Sequence, residues 1–478
     1  MTRPTRREFL RQAGVGAAAL SIAPLGRAWP TGRRDGRDLI ALARRLLAIP
    51  LEDGLRLAVR CSREGWTRDD LLGAIYVAGA LEVRPVLGGI SHCMMVVPSA
   101  AILADAAGSD EEAMLAVLFN LSDLKRSQAR DRAGDDFVLP AAPATRLSPD
   151  EAGPALEKAL AAWDCDASDR AAVAAARAED LEEVFERLWP LGVRDFHNIG
   201  HKVIFTAHAY RTIRMAGRSV AEPVLRSLVG GLLFGKDADR VGFEENRERA
   251  AALGNEGGRE SPEASLELLQ ELRTASPERA PAAVAEMLEK GVAAASLWDG
   301  VRLAASELHL RFPGLLAVHP FTSTNAMHFA AKTTRVPATR SLMLLQAAAW
   351  IAAFRDFLPH RLGAPRPWRI DGLEAADPRP ADEVFSSDDP EAAFRGALAL
   401  ASSPDGSREF LRASRRQVLR KGDESHYYKY AAAVAEEHAF AHPRWSTRLL
   451  AASLAYLPAG DAPDTTVARA WLRGGYRD

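Results

Sequence analysis

Cysteine is scarce in this chain. Three cysteines, Cys61, Cys93 and Cys165, occur in 478 residues, and no Cys-x-x-Cys pair exists. That excludes a disulfide framework, a zinc ribbon, a cluster-type ferredoxin and c-type haem attachment. The odd number leaves at least one thiol free or paired between chains. An excess of one charge is also lacking: Lys+Arg 61 against Asp+Glu 63 gives a formal net charge of −2. No overall field therefore draws the chain to nucleic acid or to an acidic membrane surface. Alternating apolar and polar residues, the mark of a half-buried strand, are few. There is no Gly-x-Ser-x-Gly elbow and no Gly-x-x-x-x-Gly-Lys-(Ser/Thr) loop, which removes the corresponding serine and phosphate chemistries. Gly14-Val15-Gly16 with Ala19 copies part of a dinucleotide fingerprint, but no strand precedes it. Asp388-Asp389 falls in an expected loop, so it does not supply the aspartate-rich helix face of a terpene cyclase.

What the chain has in quantity is helical periodicity. Hydrophobic residues make up 47% and charged residues 26%, enough for a large core. Apolar side chains recur at three- and four-residue spacing over Arg37–Leu47, Asp69–Leu81, Glu111–Ala129, Ala171–Trp189, Ser265–Leu272, Pro281–Leu310, Arg340–Phe357 and Glu391–Ser402. This pattern predicts an all-α fold. Polar breaks fall at Arg130–Glu151, Gly254–Pro262 and Gly363–Pro390, the last expected as a long surface loop. Candidate site residues come from both sides of every break. We therefore expect one large helical unit over 29–478, or two helical lobes sharing a cleft.

The N-terminus reads as an export signal. Thr5-Arg6-Arg7-Glu8-Phe9-Leu10-Arg11 opens a mildly apolar, uncharged stretch from Gln12 to Gly26. Paired arginines with Phe and Leu at these offsets match a twin-arginine signal, with cleavage expected after Ala28. The apolar run is shorter than the roughly 20 residues a spanning helix needs. Beyond it no run of transmembrane length is expected, so the mature product should carry no stable membrane span. The expected partner is the twin-arginine machinery, which carries folded proteins, and the expected location is periplasmic or secreted. Export of a folded chain suits a protein loaded with its metal beforehand.

The chemistry concentrates in eleven histidines. His92 sits in Gly88-Gly89-Ile90-Ser91-His92. His197, His201 and His208 would fall within about 40° of one another on a single helix. His319 opens His319-Pro320-Phe321-Thr322, and His328 follows. His426, His438 and His442 lie in Asp423–His442, with Glu436-Glu437 before His438. On a helix, residues 201 and 208 differ by about 10 Å along the axis, so they would not easily share one ion. Pairs four apart, His197 with His201 or His438 with His442, could grip one. Imidazole-rich sites suit Fe, Cu, Zn or Ni. His309 and His360 have no partners nearby and read as structural. Cys93, Met94 and Met95 read as core filling, and Tyr427, Tyr428 and Tyr430 as packing.

At these same positions the chain resembles the questin oxidase-like family. Gly88-Gly89-Ile90-Ser91-His92 is similar to that family's Gly-Gly-Leu-x-x-His segment, one residue shorter. His201 and His208 match its helical pair seven apart, although Lys202 stands where the family has Gly. Val318-His319-Pro320-Phe321-Thr322 resembles its Val-His-x-x-Thr segment, and Gln346–Phe354 its Ala-rich helix. Gly422-Asp423-Glu424-Ser425-His426 with His438 resembles the last element. The resemblance implies an all-helical fold, a site formed by His92, His201, His208, His319, His426 and His438, and an NADPH-dependent Baeyer–Villiger-type oxygenation. The expectation is an exported oxidoreductase with a metal-dependent, His-lined site for a small organic molecule, an aromatic one included, the metal being Fe, with Cu or Zn as alternatives. The rival readings are a metal- or ligand-binding helical protein without turnover and a metal-dependent hydrolase. Export should require both guanidinium groups of the signal. Replacing Arg6 and Arg7 together by Lys is expected to leave precursor in the cytoplasm, as fractionation and immunoblotting would report.

Overall fold

The computed structural model describes residues 38–178, 180–196, 198–236, 241–254 and 257–477. The expected signal at 1–28 and His197 lie outside these ranges. Among the described residues every regular element is a helix, and the lone extended pairing is a bridge between Arg259 and Val292. The fold is all-α, in one unit with a continuous apolar core running from Leu39 to Trp471.

Local chemistry accounts for the helix boundaries. Thr67 and Asp70 form a reciprocal capping box that opens Arg68–Glu82, and Ser148 with Glu151 does the same for Pro149–Ala161. Two expected helices are in fact pairs. The Ala171–Trp189 stretch is interrupted because Cys165–Ala175 ends and Asp180 caps a new helix, Leu181–Gly192, accepting from the Glu182 and Glu183 amides. Pro281–Leu310 likewise splits into Arg279–Glu289 and Ala294–Arg311, with Gly291 at φ +79° between them.

Pro337–Leu362 is long and apolar enough to cross a membrane by length and composition, which corrects the expectation that no such run exists. Its apolar window is 78% buried inside the protein, as befits a central core helix. The Gly363–Pro390 stretch is less of a free loop than expected. It contains a short helix, Ala381–Phe385, and Ile370 is fully buried with its amide donating to Glu307 Oε2 at 3.0 Å.

Three helices position the histidines: His201–Ala216, His319–Thr333 and Ser425–Phe440. A buried ionic clasp ties them together. Glu436 takes both guanidinium nitrogens of Arg211 at 2.7 and 2.9 Å and the Asn325 amide at 3.1 Å. Glu437 meets Arg302, Asn325 and His328, and Arg302 also meets Asp299 at 2.7 Å. Burial pushes the Glu437 carboxyl up, but His328 and Arg302 outweigh it and hold it down to about 2. Both carboxylates are buried, so Glu436-Glu437 is not a solvated helix face, and Glu437 orients the His328 imidazole. Removing one partner of such a buried network strands the rest in low dielectric. Glu437→Ala is expected to cost about 3–5 kcal/mol in urea unfolding. Glu263→Ala, at an exposed pair with Arg444, should leave the urea midpoint essentially unchanged.

Candidate metal centre

His92, His201, His319 and His426 converge from distant parts of the chain. Their rings form a closed circuit, with centroids 5.0 Å apart for His92–His201, 4.8 Å for His201–His319, 5.2 Å for His319–His426 and 4.4 Å for His426–His92. His92, His201 and His426 each bring a ring nitrogen within 4.8 Å of the other two, close enough to hold one metal ion.

Each imidazole is placed by the start of a helix. His92 follows a 3₁₀ turn, Gly89–Ser91, that the Ser91 hydroxyl anchors to the Arg84 carbonyl at 3.1 Å. His201 is the first residue of its helix, preceded by Asn198, Ile199 and Gly200, all with positive φ (52°, 54° and 82°). A β-branched residue at positive φ is strained, by roughly 1–3 kcal/mol, and such strain clusters at functional sites. At Gly200 a Cβ would come within 2.9 Å of both Ser323 and the Trp350 ring, so only glycine fits. His319 follows the 3₁₀ turn Leu315–Val318, with Pro320 in the first helical turn. His426 is the second residue of Ser425–Phe440, and Ser425 bonds Asp123 behind it.

The hydrogen bonds fix the tautomers. His201 Nδ1 faces the Asn198 carbonyl, His319 Nδ1 the Leu316 carbonyl at 3.2 Å, and His426 Nδ1 the Glu424 carboxylate at 2.6 Å. Tyr456 donates its hydroxyl to the same carboxylate. Each Nδ1 therefore donates, and each Nε2 presents a lone pair. A carbonyl or carboxylate behind the ring is the outer-shell arrangement that orients metal-binding imidazoles. The Nε2 atoms of His319 and His426 are buried without a partner, and His92 Nε2 lies 2.9 Å from His201 Nε2. Two imidazole nitrogens at about 2.0–2.1 Å from one ion stand roughly 2.9–3.4 Å apart. The donor set thus fits a transition metal, with a small inward shift needed at the longest, 4.8 Å separation.

The electrostatics keep these rings neutral. Burial lowers the pKa of His92, His319 and His426, and that of His201 to about 3, with neighbouring Lys429 pushing in the same direction on all four. Lys429 itself is lowered to about 8 by burial. Glu424 is pushed up by burial, but its bonds to His426 and Tyr456 prevail and hold it below the usual carboxylate range.

Two of the six expected site residues stand apart. His208 shares a helix with His201, about 10 Å further along its axis, and its Nδ1 meets the Met95 carbonyl. His438 is twelve residues beyond His426, about 18 Å along that helix, with Nδ1 3.2 Å from the Ser446 carbonyl. The expected metal-gripping pairs also change. His201 begins its helix, and His442 caps the next helix after His438 by accepting from the Arg444 amide. His328 belongs to the ionic clasp, His309 is buried and His360 is exposed. Cys93, Met94 and Met95 are core, and Tyr428 stacks on Phe119 at 4.0 Å. All three cysteines are free.

Sequence reasoning missed Lys429 and the Arg302 clasp. A lysine three residues after His426, leading into an Ala-rich helix, was the available signal for the first. It also passed over Gly230–Lys236, which has the glycine and lysine spacing of a phosphate loop. Asp237 stands in the Ser/Thr place, and Gly230 and Gly231 end a helix rather than precede one. A groove of about 360 Å³ lined by Phe119, Arg126, Lys421 and Asp423 includes none of the four histidines.

Comparison with protein families, with curated proteins and with solved structures returns no match. The class that the fold and site define is an all-α protein with a buried histidine cluster able to hold a metal ion.

Acid should act on this cluster through its lowered pKa values. Below about pH 6.5 the unfolded chain binds protons that the buried rings refuse, so stability falls as pH drops. Each ring contributes up to about 1.4 kcal/mol per pH unit. Urea midpoints of the metal-free protein between pH 7.5 and 4.5 are expected to decline with that multi-proton slope, whereas a flat profile would mean that the rings take up protons in the folded state as readily as in the unfolded one.

Proposed function

We propose that this chain is an exported, metal-dependent oxidoreductase acting on a small organic molecule, with iron as the metal and copper or zinc as alternatives. The observation that carries the reading is the convergence of His92, His201 and His426, whose ring nitrogens lie within 4.8 Å of one another, with the Nδ1 atoms of His201 and His426 held from behind. The N-terminal arginine signal and the questin oxidase-like order of histidine motifs support export and oxidation respectively. That resemblance also implies NADPH as electron donor, although the described elements, all helical, offer no strand–helix Rossmann turn for it.

A metal held there would supply redox or Lewis-acid chemistry. The protein's own residues would do the rest. Glu424, steadied by Tyr456, holds the His426 tautomer and raises the basicity of its Nε2. His319, kept neutral with its Nε2 free, would accept a hydrogen bond from a group bound in the cluster. Burial of His201, His319 and His426 excludes bulk water, and the partly exposed His92 marks the approach.

Metal stoichiometry set against melting temperature tests the reading. His92→Asn, His201→Asn and His426→Asn should each lose most of the metal while costing no more than about 1–3 kcal/mol of stability. His438→Asn and His360→Asn should keep the metal. A visible absorption band on natively exported protein would support redox chemistry, and colourless zinc would favour the hydrolase reading instead. Equal metal content in all five variants would make the histidines core residues and overturn the proposal.

A further inference from the structure

Lys429 is only 3% exposed, and its Nζ has no hydrogen-bond partner. It lies three residues after His426, on the same face of the helix. Its charge acts on His92, His201, His319 and His426, and also on His208 further along the neighbouring helix, so the ammonium lies within electrostatic reach of the cluster. A buried ammonium without a counter-charge or acceptor is costly, and proteins rarely keep one. The two carboxylates that act on it are engaged elsewhere. Glu424 is shared by His426 and Tyr456, and Asp123 by Ser425 and Arg126.

Three further contributions to positive potential meet here. The helices beginning at His201, His319 and Ser425 are fifteen or sixteen residues long, and each points its N-terminus at the cluster. Each such end carries roughly half a positive charge. The neutral imidazoles add no negative charge, and a bound metal cation would only raise the surplus. The histidine lone pairs call for a cation, whereas Lys429 and the helix ends call for an anion beside it. His92 is the partly exposed member of the cluster, and Gly89, three residues before it, is exposed at φ +57° with nothing within 4 Å of an added Cβ.

We propose that Lys429 is the anion-holding residue of this site, its ammonium donating to a carboxylate or phenolate oxygen of a small organic ligand seated against the four histidines. The location rests on the metal-site reading, while the unpaired ammonium does not depend on any ion being bound. Lys429 is a binding residue in this scheme, so its loss should leave metal uptake intact.

The test uses the mature protein, metal-free and loaded with Co(II), titrated calorimetrically with benzoate, 4-nitrophenolate and the neutral isostere benzamide. Benzoate or 4-nitrophenolate should bind at least about tenfold more tightly than benzamide, the size of one charge-assisted hydrogen bond. Lys429→Met should abolish that preference while taking up Co(II) as the wild type does. Binding of benzoate alone assigns a carboxylate ligand, and of 4-nitrophenolate alone a phenolate. Should Lys429→Met not fold, Lys429→Gln, which keeps most of the side chain's length without its charge, replaces it in the metal-free titration and should likewise lose the preference for benzoate over benzamide. No preference for either anion in either form, or the same preference in Lys429→Met, overturns the inference. Failure of the wild type to take up Co(II) would count against the metal reading, and the metal-free titration would still decide on Lys429.

Discussion

The buried contact of Glu436 and Glu437 with Arg211, Arg302, Asn325 and His328 sets the register of everything around the histidines. Arg211 lies ten residues after His201, Asn325 and His328 lie six and nine after His319, and Glu436 lies ten after His426. At about 1.5 Å per residue, the clasp sits roughly 9–15 Å below the imidazoles on all three helices. The three helices therefore run alongside one another in the same sense, pinned by charge at one level and presenting histidines at another. Arg302 anchors the group to the Ala294–Arg311 helix through Asp299 and Glu437. Apolar packing alone tolerates sliding between helices, whereas hydrogen-bonded charges in low dielectric do not. A cluster whose nitrogens must meet within an ångström or so benefits from that rigidity.

The same parallel arrangement creates an electrostatic problem that the site then exploits. Three helix N-termini and Lys429 make the cluster positive, which favours neutral imidazole over imidazolium and so keeps the lone pairs available. Glu424 offsets part of this by its bond to His426, and the Asn198 and Leu316 carbonyls fix the other two tautomers. A cation held by the lone pairs and an anion held by Lys429 would together relieve both imbalances. Strain supports the geometry as well. Ile199 accepts a left-handed conformation, and Gly200 lets the Trp350 ring and Ser323 close against the turn, so that His201 leaves the turn aimed at its partners.

Much of the architecture was legible one helix at a time. The 3.6-residue periodicity depends on local spacing alone, so Asp69–Leu81, Glu111–Ala129 and Arg340–Phe357 fall inside the observed Arg68–Glu82, Asp110–Arg132 and Pro337–Leu362. Where the reading ran two helices together, a local signal had been passed over: Asp180 as a cap, Gly291 as a left-handed break. The site was legible in part. The histidine motifs point to His92, His201, His319 and His426, but they point equally to His208 and His438, which lie a helix-turn or more away from the cluster.

The sequence by itself determined the all-helical character of this protein, the residue types available to a metal and the scarcity of thiols, because each depends only on composition or on neighbours a few positions apart. The tertiary structure alone decided which imidazoles meet, since His92 and His201 are 109 positions apart and Arg302 and Glu437 are 135 apart. It also decided that Lys429 is buried rather than solvated, and that Glu436 and Glu437 pair inward. The reason is physical: periodicity tells which face of a helix is apolar, but the depth at which a charge comes to rest depends on what packs over it, and that is settled only when distant helices dock.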